Sequence, residues 1–272
     1  MLDPFVLRAI LGVLFASFSA PVSTLMLLRG ALYITPEVSH AALGGAALGI
    51  LLQTFFPNMA DPFLFAIFFC IMTSILVSRA GRSSQQALGM MLSVSLALSV
   101  MLYAIIKSYL PGEKRILVDS YLVSDLLLIS NVEILSLAVA STIAILTLIV
   151  FYREFLYLCF DIETAEALGL RASLYDSLLF ATSAVTAAVV ARTMGVLLSV
   201  TLLVIPAVVS RLATRHINRM LIVSFFIALF SGLCGLALSL STHIPTSGAI
   251  ALVSVMLFLI TYFTKVLKSR FV

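Results

Sequence analysis

The chain has 272 residues, of which 62% are hydrophobic and 10% charged, with a net charge of +4 and a mean hydropathy of +1.21. A soluble domain carries about 25% charged residues, so water is excluded as the main solvent and lipid takes its place. The small positive balance does not read as a nucleic-acid surface, and the separated Cys70, Cys159 and Cys234 form no CxxC pair that would suggest a metal cage or a disulfide framework.

The first stretch, MLDPFVLRAILGVLFASFSAPVSTLMLL, lacks a basic start and a clear small-residue cleavage site, so it reads as a retained first span. A helix needs about 20 apolar residues to cross the hydrocarbon. The expected spans are 5–28, 31–56, 61–78, 86–110, 132–151, 174–191, 194–213, 219–240 and 245–264, with loops at 56–62, 110–115 and 242–245. A very tight turn at 192–194 leaves eight spans as the alternative, with 174–213 one broken unit. The expected fold class is all-α, a polytopic transmembrane helical bundle of eight or nine spans forming a single domain over 1–272.

Under nine spans, one set of helix ends carries Arg29, Arg79, Arg82, Arg153, Arg171, Arg211, Arg215, Arg219, Lys265, Lys268 and Arg270. The other carries Lys107, Lys114, Arg115 and Arg192, with Arg8 in or near the first span. The richer set is expected on the cytoplasmic side, which places the C-terminus inside and the N-terminus outside. Residues 111–131 are too polar to span and too apolar for a bare loop, so a short helix at the outer interface, or one dipping back in, is expected. Residues 152–173 form the longest cytoplasmic connection. Within it DIETAEALG has Asp161 as a plausible N-cap, acids in the first turns and Gly169 as a stop, a pattern for a helix of two or three turns. Such a helix is either a plain amphipathic surface element or a docking element for a soluble partner.

The stretch TPEVSHAALGGAALG, 35–49, sets polar residues into this apolar chain. Thr35 and Pro36 read as N-cap and first helical residue. Glu37 and His40 then share one face, which Gly44 continues, while Ala41, Gly45 and Gly49 form an adjoining stripe that lets helices approach closely in lipid. A carboxylate at the bilayer centre costs about 2.5–3.5 kcal/mol. Carboxylate plus imidazole suits divalent ions such as Zn²⁺ or Mn²⁺. The alternative is a capping acid beside a hydrogen-bonded histidine. His216 lies in a basic turn and reads as solvated; His243, Asp119 and Asp125 lie at the outer mouth, where an arriving cation would pass. No G-x-x-x-x-G-K-[ST], G-x-S-x-G or H-E-x-x-H pattern occurs, so any ATP-powered engine is on a separate chain.

Five blocks in order resemble the membrane permeases of ABC-type zinc, manganese and iron importers: LMLLRGALYITPEVSHAALGGAALGILL (25–52), SSQQALGMMLSVSLALSVML (83–102), VDSYLVSDLLLIS (118–130), FDIETAEALGL (160–170) and MGVLLSVTLLVIPAVVSRLA (194–213). The resemblance implies a type II ABC importer-like permease in the prokaryotic plasma membrane, and a homodimer with the ion passing between its chains. It implies two cytoplasmic ATPase subunits that carry the ATP, and an extracytoplasmic metal-binding protein. It implies no tightly bound cofactor and no catalytic residue, with the divalent metal as cargo. It implies metal ligands at His40 and Glu37, and a coupling helix carrying Glu163, Ala165, Leu168 and Gly169. One departure stands out. The family's aspartate four residues before the histidine is here Pro36, so either Glu37 takes its place or this member lacks that ligand.

Rival readings are an ion-coupled secondary transporter or channel acting alone, an intramembrane enzyme using His40 and Glu37, and, within the ABC class, a cobalamin- or siderophore-type permease. The enzyme lacks a nucleophile and a second acid, and the secondary transporter lacks the usual intramembrane charges.

Overall fold

The computed structural model describes residues 3–56, 61–80, 85–122, 124–160, 162–167 and 169–270, and among these every regular element is helical. The first span is α1 (Pro4–Ser17) followed by α2 (Ala20–Leu28). The break falls just before Pro21, whose ring would clash with the carbonyl four residues back in a continuous helix. The chain continues through α3 (Ile34–Phe55), α4 (Pro62–Ala80) and α5 (Gln85–Tyr109). The short α6 (Gly112–Leu122) and a 3-10 turn (Leu126–Leu128) follow. Then come α7 (Asn131–Val150), α8 (Tyr152–Phe160) and α9 (Ile162–Ala167). The last four helices are α10 (Ala172–Met194), α11 (Val196–Ala213), α12 (Ile217–Thr242) and α13 (Thr246–Arg270).

Among the described residues, eight helical segments are long and apolar enough to cross a membrane, with α1 and α2 together forming one of them. α5 adds a shorter apolar segment, Ser93–Tyr109, within a 25-residue helix. The difference between eight and nine lies there, and not at the turn after residue 191. α10 and α11 are separate helices of 23 and 18 residues, each long enough to cross. Their turn is at Gly195, not at 192–194, and Gly195 adopts φ +83, a conformation that a side chain disfavours.

α3 and α10 are mostly buried, whereas α7 and α13 present most of their surface outward. α3 is the hub, packed by α4, α5, α10 and α11. The small-residue stripe makes this possible. A Cβ on Gly45 would lie 2.7 Å from the Phe65 carbonyl oxygen and 2.8 Å from Ala66 Cα, so α4 rests directly on the α3 backbone. Gly44 faces Ser99 of α5, whose side chain occupies the space of an added Cβ and whose Cα would lie 3.2 Å from it.

Alternating crossings of the long helices would place Arg29, Arg79, Arg153, Arg171, Arg211, Arg215, Arg219 and Lys265 at one end of the bundle, and Lys107, Lys114, Arg115 and Arg192 at the other. Arg82 lies outside the described residues. At the opposite end, the expected short helix within 111–131 is α6, which buries Val118 and Tyr121 and packs on α3, α5 and α10. Asp119 on α6 accepts from Lys107 at 2.7 Å and from Tyr103 at 2.8 Å, tying α6 to α5. The Lys107 ammonium holds the Asp119 carboxyl below its ordinary range.

Candidate metal site

The head of α3 departs from the expected cap. The helix starts at Ile34 behind Tyr33, no side chain closes it, and Thr35 lies inside the first turn. Pro36 is consequently the third helical residue, not the first. Its missing N–H is harmless there, because the first four N–H groups of a helix have no intrahelical acceptor. The Thr35 hydroxyl, freed from capping, is buried without a partner among the described residues.

Glu37 stands one turn into α3, near the basic end. It is 1% exposed, and both carboxylate oxygens lack a partner among the described residues. A charge buried in this way is strongly penalised until it gains a cation or a hydrogen-bond donor. His40, three residues on, is only half-buried. Its backbone is fixed by Ser99, which donates to the His40 carbonyl at 2.9 Å. On the neighbouring face Ser39 and Ser199 share a hydrogen bond of 3.0 Å, linking α3 to α11. The site is thus an orphaned carboxylate and an accessible imidazole on a helix pinned from several sides.

Among the described residues no group of three or more His, Cys, Asp or Glu is assembled to hold a metal ion. Two donors on one face are what a single chain offers at α3. The three cysteines are free, as inert thiols would be. Burial raises the Cys159 thiol to about 12.

One buried ion pair has no counterpart among the sequence expectations. Arg29, placed among the cytoplasmic basic residues, reaches from the end of α2 to Asp176 of α10 at 2.9 Å, with side chains 21% and 1% exposed. Ser78 of α4 donates to the other Asp176 oxygen at 2.9 Å, so three helices meet at one carboxylate. The signal was present: Asp176 is a lone acid inside the expected span 174–191, and an ionisable group there needs a partner. Tyr33 lies within electrostatic reach of Arg29, Glu37 and Asp176. Burial raises its phenol above the ordinary range, and Arg29 partly opposes this.

The connection 152–173 contains two short helices, α8 and α9. Glu163 lies in the first turn of α9 and Ala165 is buried. Leu168 and the expected cap Asp161 lie outside the described residues. α9 is six residues long, shorter than the two or three turns expected. It stops where expected: Gly169 adopts φ +81, its N–H bonds the Glu166 carbonyl, and the Leu170 N–H bonds the Ala165 carbonyl. His216 precedes α12 as an exposed residue in the basic turn. His243 and Asp125 line one cavity at the opposite end, whereas Asp119 is engaged by Lys107.

Among the described residues, eight helical segments long enough to cross a membrane surround a buried carboxylate with no partner, an arrangement that fits a multi-pass membrane protein. The model of the ABC 3 transport family matches residues 2–265, and the chain belongs to that family. It is 24% identical over 246 residues to the manganese import system permease protein ScaB of Streptococcus gordonii, covering 89% of this chain and 84% of that one. It is 25% identical over 179 residues to the high-affinity zinc uptake system membrane protein ZnuB of Haemophilus influenzae, covering 64% of each chain. Its fold is similar to that of PsaBC from Streptococcus pneumoniae in complex with Fab, with a TM-score of 0.79 and 22% identity over 96% of this chain and 92% of that one. The chain is the non-catalytic membrane subunit of an ABC transport system, which implies ATPase and binding-protein partners.

Proposed function

We propose that this chain is the permease of an ATP-driven importer of divalent metal ions of the manganese and zinc class, and that Glu37 and His40 are the residues the ion meets inside the bundle. The observation that carries this reading is the Glu37 carboxylate, 1% exposed and without a partner for either oxygen among the described residues. A passing cation supplies the missing partner, and the half-buried His40 supplies a borderline nitrogen donor on the same face. Pro36 occupies the position of the family's aspartate, and Glu37 takes over its role from the adjacent position. The relatives named for manganese import and zinc uptake support this cargo class.

In this reading residues 1–272 form one permease domain and the basic end faces the cytoplasm. Two copies of the chain pair so that each contributes its Glu37 and His40, doubling the two donors one chain offers. Two ATPase subunits dock at the connection 152–173, where Glu163, Ala165, Leu168 and Gly169 carry their motion, and an extracytoplasmic metal-binding protein delivers the ion.

Weak binding suits a site that must release its cargo. α3 begins just before the pair, and the positive end of its dipole favours the Glu37 anion but opposes a cation. His40 therefore matters more than Glu37. The test is uptake of Mn²⁺ and Zn²⁺ into vesicles containing the permease, its ATPase and its binding protein. His40→Ala is expected to lose most uptake and Glu37→Gln to lose part of it. An assembled His40→Ala variant that moves both metals at the parental rate would make the pair a structural feature of the helix start.

A further inference from the structure

At the end opposite the basic one, the loop between α12 and α13 and the residues before the 3-10 turn enclose a cavity of about 400 Å³. Two metal-ligating side chains line it: the carboxylate of Asp125 and the imidazole of His243. The two are 118 positions apart in sequence, and α13 brings them together. Thr246, at its first position, donates its hydroxyl to Asp125 Oδ1 at 2.7 Å and accepts the Leu126 N–H at 2.9 Å. The Leu127 N–H adds a bond to the same Oδ1 at 3.2 Å. Among the described residues Oδ2 takes no such bond, so the carboxylate is oriented by one oxygen and open at the other.

His243 is held in an unusual way. It ends α12 in the left-handed region, φ 59 and ψ 26, and is the only non-glycine residue with positive φ among those described. Glycine is the usual residue at such a helix end. The conformation is maintained by the His243 N–H to the Ser239 carbonyl at 2.8 Å and by the Ser239 hydroxyl to the Ile244 carbonyl at 2.7 Å. The side chain is exposed, so core packing does not account for histidine in a place that suits glycine. Backbone strain retained without a packing reason points toward function.

We propose that Asp125 and His243 form an entry site for a divalent metal ion of the manganese and zinc class, at the mouth opposite the basic end. The donors are one carboxylate and one imidazole, and water completes the coordination, so the ion is held loosely and passes on. The site is separate from Glu37 and His40, which lie near the other end of the bundle.

The test uses the full chain in lipid nanodiscs, titrated with Mn²⁺ while the electron paramagnetic resonance signal of the free hydrated ion is followed. His40→Ala removes the inner site and is expected to leave Mn²⁺ binding at the outer one. Adding His243→Gly to that background should weaken the remaining binding at least about tenfold, since losing even an outer-shell support of a metal site costs that much. The same substitution relieves the left-handed strain, so thermal stability should be equal or higher and a folding defect cannot mimic the result. Asp125→Asn keeps an acceptor for Thr246 and should weaken binding similarly. No Mn²⁺ bound in the His40→Ala background, or parental affinity in both double variants, overturns the proposal. Failure of the inner reading looks different, because His40→Ala then leaves the parental stoichiometry unchanged.

Discussion

Asp176 shows what one buried carboxylate demands in this bundle. Its negative charge is neutralised by Arg29 and its second oxygen is used by Ser78, so α2, α4 and α10 are tied at one point. Glu37, eight positions from Arg29 along the chain, has neither kind of partner among the described residues. The contrast separates a carboxylate used to hold helices together from one kept open. Replacing Arg29 by Ala strands the Asp176 charge, and removing one partner of a buried pair costs about 3–5 kcal/mol. Arg29→Ala is therefore expected to lower the melting temperature in detergent markedly, whereas Glu37→Gln should leave it unchanged or raise it. A parental melting curve for Arg29→Ala would show that the pair contributes little.

At the scale of elements, two glycines do different work. Gly45 is a matter of distance, because the α4 backbone occupies the space where its side chain would go. Gly45→Leu is expected to separate α4 from α3 and abolish assembly. Gly45→Ala should cost about 1–3 kcal/mol, the usual range for overpacking, and a chemical or thermal denaturation series checks both. Gly169 is a matter of backbone angle. Among the described residues no neighbour lies within 4 Å of its would-be Cβ, but its φ of +81 closes α9. Gly169→Leu should leave the membrane helices intact yet uncouple ATP hydrolysis from uptake, because the end of the proposed docking helix is redirected. Gly169→Asn, which tolerates the left-handed region, should retain most coupling. Undiminished metal-dependent uptake by Gly169→Leu in reconstituted vesicles would remove α9 from the coupling path.

At the scale of the whole molecule, more of the basic residues fall at one set of helix ends than at the other, and this sets the expected orientation in the bilayer. A cysteine placed at Thr214, after α11, should react with an impermeant thiol reagent only from the cytoplasm. One at Glu113, in the first turn of α6, should react only from outside. A Glu113 label accessible only from the cytoplasm would invert the molecule and place the Asp125 and His243 cavity at the exit.

The membrane class, the positions of most spans and the short helix within 111–131 were legible in the sequence, because long apolar runs and their punctuation are local properties. The stripe at Ala41, Gly45 and Gly49 was legible for the same reason: spacing along one helix fixes which residues share a face. The start of α3 was misjudged, since Thr35 and Pro36 form a good local cap signal that the turn at Tyr33 pre-empts. What only the tertiary structure decided is which charges meet. Nothing local pairs Arg29 with Asp176, separated by 147 positions, or brings His243 to the cavity of Asp125. Nor does anything local leave Glu37 without a partner among the described residues. These outcomes depend on the packing of helices distant in sequence, and in a medium of low dielectric that packing determines whether a charge is neutralised, hydrated or left for a passing ion.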